Sequence, residues 1–287
     1  VPASEISVIE AFDEALRAGS MGDDNRRWEL ISHLHVHGGI EALEQATRWS
    51  GHPEPTHRML AADVLSQLGS APGRSAIDGP FREESLALLL TMVQNERDPG
   101  VLSSLTTGFG HIGDERSLAS LVNLRAHPDA QVRFGIVFGL LRCPITVALD
   151  VLIKLSADDD AQVRDWATFG LARHTDEDVP RLRRALADRL DDDDPDTRIE
   201  AVHGLATRGD PRAMQPLLDI LETPSDPSDP GLVSEARWAL AATSLDPPPA
   251  LPPAGGARPI PGRPDRRMAR RAPDRADEIR RAAAGLT

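Results

Sequence analysis

Internal repetition constrains this chain more than any other feature, because a short unit that recurs cannot bury its apolar face alone and must stack on its neighbours. The segments DAQVRFGIVFGLLRC and DAQVRDWATFGLARH align on Arg133 and Arg164, and further units fall into register with anchors at Arg27, Arg58, Leu102, Arg198 and Val233. Successive anchors lie 31, 44, 31, 31, 34 and 35 residues apart. Four positions before them stand Asp23, Glu54, Asp98, Asp129, Asp160, Asp194 and Asp229. With acids at 45 of 287 positions, chance would place about one there, and all seven are acidic.

Helix initiation explains the pattern. An aspartate at the N-cap accepts a bond from an otherwise orphaned backbone N–H and sits at the positive end of the helix dipole. Pro99, Pro195 and Pro230 follow three of these acids, where a missing N–H costs nothing. Position +3 from the anchor reads Leu30, Ala61, Leu105, Ile136, Ala167, Ala201 and Ala236, and position +7 reads Leu34, Leu65, Phe109, Leu140, Leu171, Leu205 and Leu240. That spacing is one apolar helix face. Gly38, Gly69, Gly113 and Gly209 stand at +11, where a left-handed residue commonly ends a helix. Leucine-rich helical segments such as ESLALLLTMVQ and VPRLRRALADRL lie between. The expectation is seven helical pairs stacked into a solenoid.

A DxxVRxxAxxxLxxxG helix after a leucine-rich helix, repeated near every 31 residues, resembles the HEAT-repeat superfamily and in particular its short phycobilin-lyase-type subgroup, over about residues 5–243. The resemblance implies an all-α, right-handed α-solenoid of HEAT-like pairs, here over residues 1–245, with the anchor-bearing helix on the concave side. Two departures stand out: Leu102 and Val233 replace the family's arginine, and SAPGRSAIDGPFRE lengthens the third unit by 13 residues. That insertion, residues 70–83, is expected to be a surface loop. The architecture serves scaffolds, chaperones and a few enzymes, so function has to be read from particular residues.

Charge divides the chain. Residues 247–287 hold nine arginines against four acids, which leaves residues 1–246 with 23 basic and 41 acidic side chains. So acidic a body repels phosphate backbones and attracts cationic partners, and nucleic acid is not an expected ligand. Residues 246–287, rich in proline and arginine, are expected to form a flexible tail, and that basic tail could itself fold back onto the acidic body. The single cysteine, Cys143, excludes an internal disulfide. No apolar run reaches the roughly 18 to 20 residues that span a bilayer, and the N-terminal stretch lacks the regions of a signal peptide, so the expected compartment is the cytoplasm.

If the +3 and +7 positions face the core, +1, +2 and +5 are expected to face away from it. Six of the ten aromatic residues fall on this stripe: Trp28, Phe134, Phe138, Trp166, Phe169 and Trp238. Random placement over its 21 positions would give about one. Asp63, Asp165, Glu200 and Glu235 would edge the face, with His203 beside them. Such a groove suits another protein or a basic or amphipathic peptide, through aromatic anchors and cation–π attraction. The alternative within the same pattern is that the rings pack on adjacent helices.

Enzymatic signals are sparse. His33 and His37 have the spacing of two metal ligands, but nothing supplies the rest of a site, and the paired HE dyads of the di-iron HEAT hydroxylases are absent. No metal or cofactor is therefore expected. The acid runs at 158–160 and 191–196 read as helix caps, and the anchor arginines as an internal ladder with neighbouring acids. The leading expectation is a non-catalytic protein- or peptide-binding scaffold. The phycobilin-lyase resemblance implies, as the alternative, a lyase or isomerase or a tetrapyrrole-handling protein. A HEAT-like DNA glycosylase would need a basic face that this body lacks.

Overall fold

The computed structural model describes residues 6–70, 78–143 and 145–216. Among them every regular element is helical: α1 (Val8–Ser20), α2 (Asp24–His37), α3 (Gly39–Trp49), α4 (Pro55–Ser66), α5 (Arg82–Asn95), α6 (Pro99–Ile112), α7 (Leu118–Leu124), α8 (Ala130–Leu140), α9 (Ile145–Leu155), α10 (Ala161–Arg173), α11 (Pro180–Ala187) and α12 (Pro195–Ala206). The expected seventh pair with Glu235 and Trp238, residues 71–77 of the insertion, and the tail at 246–287 lie outside the described residues. The chain divides into two compact units, Val1–Val151 and Leu152–Thr287. In the first, α1 pairs with α2, α3 with α4, α5 with α6 and α7 with α8, and the anchor-bearing helices α4, α6 and α8 pack on one another in turn. In the second, α11 pairs with α12, and α10 lies against α12. This is the expected all-α helical-repeat architecture. No described helix is long and apolar enough to cross a membrane.

The apolar +3 and +7 positions are buried in all six described repeats. Asp23, Asp98, Asp129, Asp160 and Asp194 cap α2, α6, α8, α10 and α12 by accepting a backbone N–H within the first turn. Glu54 stands at the same place before α4 and makes no side-chain cap. Its extra methylene carries the carboxylate past the N–H groups that an aspartate reaches. Gly69, Gly113 and Gly209 have the expected positive φ, whereas Gly38 is helical, with φ −68°, and Gly39 makes the left-handed turn. A Cβ on Gly38 would lie 2.6 Å from the Leu34 carbonyl oxygen, so glycine is required there by the direct junction of α2 with α3.

In four repeats the turn before the anchor-bearing helix is built by the anchor itself. Nη1 of Arg58 donates to the carbonyls of His52 and Pro53, that of Arg133 to His127 and Pro128, that of Arg164 to Asp158 and Asp159, and that of Arg198 to Asp192 and Asp193. The residue six before the anchor accepts from the backbone N–H of the acid two residues later: His52 from Glu54, Glu96 from Asp98, His127 from Asp129, Asp158 from Asp160 and Asp192 from Asp194. At Glu96 and Asp192 the preceding anchor also reaches the carboxylate with a two-pronged bond. Arg58 donates to Glu96 at 2.7 and 3.0 Å, and Arg164 to Asp192 at 3.0 and 3.0 Å. Burial pushes both carboxyls up, but the guanidiniums and backbone N–H groups outweigh it and hold them below the usual carboxylate range. At Arg58 and Arg164 the anchors thus make the ladder with neighbouring acids that the sequence suggested.

A second ion network recurs on the partner helices. Gly113 and Gly209 are each followed by Asp-Xaa-Arg. Asp114 pairs with Arg116 and with Arg82 of α5, and Asp210 pairs with Arg212 and with Arg183 of α11. The arginine two residues on, aided by its backbone N–H and the helix arginine, holds each carboxyl well below its ordinary pKa.

The expectation that +1, +2 and +5 face outward is corrected. Among the described residues of that stripe only Glu29 is exposed, and the rest are buried or half-buried. Close approach of successive anchor-bearing helices is the reason. A Cβ on Gly135 of α8 would overlap Thr106 of α6, and one on Gly139 would lie 2.8 Å from Leu121. Gly135→Ala gains helix propensity of up to about 1 kcal/mol, yet overpacking costs about 1–3 kcal/mol. A net fall in unfolding free energy is expected in chemical denaturation.

Candidate recognition face

In the first unit, α2, α4 and α6 converge on a buried ion pair. Arg27 of α2 donates through Nη2 to Oδ2 of Asp63 on α4. Its guanidinium carbon stands 5.1 Å from the ring centre of half-buried Trp28. Burial pushes the Asp63 carboxyl up, against the pull of Arg27 and of the Ser104 hydroxyl on α6. His35 is buried with Nε2 2.9 Å from the Asp63 carbonyl, so the HLHVH cluster divides into one inward ring and two outward ones. On α8, Phe134 is buried, and half-buried Phe138 meets His111 of α6 edge-on at 5.1 Å.

In the second unit, α10 supplies Asp165, Trp166, Phe169 and Arg173, and α12 supplies Glu200 and His203. Arg173 Nε donates to Glu200 Oε2 at 2.6 Å, and its guanidinium carbon lies 5.9 Å from the ring centre of Phe169. The rings of Trp166 and His174 stand 5.9 and 5.1 Å from Phe169. Asp165, Trp166, Glu200 and His203 are buried, while Phe169 is half-buried. The acids expected to form an open rim, Asp63, Asp165 and Glu200, are thus interior groups, and Asp63 and Glu200 are engaged by the chain's own arginines.

The two units share a motif. In each, a guanidinium is held between an aromatic ring on its own helix and a buried carboxylate on the next anchor-bearing helix: Arg27 with Trp28 and Asp63, Arg173 with Phe169 and Glu200. Of the nine described candidates, Trp28, Phe138 and Phe169 keep part of their surface open. Sequence reading missed Arg173 and His111. Both stand at +9, one helical turn beyond +5, and continuing the stripe by four residues would have included them.

Acid–base chemistry is not what this geometry favours. Burial, and then the positive charges of Arg173 and Arg208, push the His203 imidazole down to about 3. So weak a base is poorly matched to proton transfer near neutral pH. Among the described residues, no group of three or more His, Cys, Asp or Glu side chains is placed to hold a metal ion. His203 is neutral when folded and protonatable when unfolded, so its contribution to stability is complete above about pH 6.5 and is lost as pH falls towards 3. His203→Gln is expected to flatten the decline in unfolding free energy between about pH 6.5 and 5, with burial-lowered His33 and His57 leaving a smaller slope. Urea denaturation at several pH values measures this.

Residues 149–241 match a family model described as HEAT repeats. Among solved structures, the X-ray structure of Escherichia coli YibA superposes with a TM-score of 0.64 at 22% identity, covering 82% of this chain and 83% of that one. A designed armadillo repeat protein in complex with the peptide (KR)4 gives 0.55 at 18% identity, covering 70% and 99%. An engineered protein gives 0.52 at 20% identity, covering 69% and 94%. Among curated proteins, no sequence matches. At these identities the structural likeness is one of fold. The described residues therefore have the helical-repeat fold of these solved structures, and residues 149–241 are similar in sequence to HEAT repeats.

Proposed function

We propose that this protein is a non-catalytic scaffold whose anchor-bearing helices take up a basic, arginine-bearing peptide or protein segment. One observation carries the reading: each unit already holds a guanidinium, Arg27 in the first and Arg173 in the second, between an aromatic ring and a buried carboxylate. Cation–π attraction and charge-assisted hydrogen bonds are the interactions that recognise arginine from outside as well. Asp63 and Glu200 act by fixing the internal arginines, and the open parts of Trp28, Phe138 and Phe169 are the anchors a partner meets. The excess of 41 acids over 23 basic groups in residues 1–246 draws a cationic segment in and disfavours nucleic acid. That a designed repeat protein of this fold class was solved with (KR)4 supports a basic peptide as the ligand class.

The same peptide, (KR)4, is the probe. Titrated against the full chain with tryptophan fluorescence as readout, it is expected to bind at low salt and to weaken about tenfold or more by 0.3 M salt. The Trp28→Ala, Phe169→Ala double variant is expected to lose at least about tenfold in affinity with unchanged helicity, read by labelled-peptide anisotropy. No binding at low salt, or equal affinity in the double variant, would overturn the reading.

A further inference from the structure

We propose that the last turns of α2 carry a divalent transition-metal site formed by His33 and His37. The two imidazoles lie one helical turn apart, with ring centres 4.9 Å from each other and planes tilted by 38°. His37 is exposed and His33 half-buried, so an ion from solvent reaches both. A tetrahedral ion with bonds of about 2.0–2.1 Å holds two nitrogens about 3.3 Å apart, which these rings attain by rotating about their Cβ–Cγ bonds. Both ligands stand on one rigid helix, so binding orders no loop. The ion would also sit at the negative end of the α2 dipole, within an acidic body.

The molecule contains a second histidine pair that shows what a non-chelating arrangement looks like. His52 and His57 are stacked face to face, with ring centres 3.8 Å apart and planes 15° from parallel, and His52 Nδ1 is committed to the Glu54 backbone N–H. Stacked rings present π-faces to each other and direct their nitrogens apart. His35, between the two proposed ligands, is likewise committed, to the Asp63 carbonyl. Among the described residues no third side chain joins His33 and His37, so water completes the coordination. A site of two imidazoles and water takes nickel or zinc in preference to calcium or magnesium, which want oxygen ligands.

Isothermal titration of nickel and of zinc into the untagged full chain at about pH 7.5 tests the proposal, alongside thermal melts with and without the ion. One ion per chain is expected, with a rise in melting temperature. His33→Gln and His37→Gln should each weaken binding at least about tenfold and abolish the thermal shift, with helicity and metal-free melting unchanged, because one imidazole cannot chelate. His52→Gln should bind as the parent does. Absence of binding at millimolar ion, or parental affinity in both His33→Gln and His37→Gln, would overturn the assignment.

Discussion

In four repeats an arginine in the first turn of a helix reaches back to tie two carbonyls of the turn that leads into it. The turn cannot satisfy those carbonyls itself, because the residues are neither helical nor paired with a strand, so the guanidinium takes the place of water at them. The arginine therefore fixes the direction in which each helix leaves its partner. Where the next repeat offers Glu96 or Asp192, the same guanidinium also sets the distance between repeats. Leu102, which lacks the guanidinium, precedes a repeat that carries His127 instead of an acid at that point, so no buried carboxylate is stranded.

The proposed recognition face depends on how closely the helices pack. Glycines on α8 bring it into close contact with α6, and among the described residues of the stripe such close packing leaves little surface open. Among the described rings of the stripe, Trp28, Phe138 and Phe169 remain partly accessible, and Trp28 and Phe169 stand beside guanidiniums that the fold has already placed. The proposed recognition would draw on the chemistry that the chain already uses internally, arginine between carboxylate and ring. Few accessible anchors on an acidic body favour an interaction governed by charge in approach and by stacking in retention.

Much of the fold was legible because its signals are local. The +3 and +7 apolar positions and the capping aspartates each depend on one helix, and they appear where the spacing places them. Glu54 fails as a cap and Gly38 as a left-handed terminator because one methylene, or one direct helix junction, changes the local geometry without changing the pattern. The acceptor six residues before the anchor was invisible because its role is filled by His52, Glu96, His127, Asp158 and Asp192, which share lone pairs and no residue type. Burial of Phe134, Trp166 and Glu200 depends on how closely neighbouring helices approach, which no single repeat encodes.

If arginine bridges set the spacing of the repeats, they must couple one repeat to the next energetically. A double-mutant cycle on Arg164→Leu and Asp192→Leu, followed by chemical denaturation, isolates that coupling from the carbonyl bonds that Arg164 makes within its own turn. An interaction energy of about 1.5–3 kcal/mol between the two positions is expected. Additive effects, with a coupling below about 0.5 kcal/mol, would contradict it.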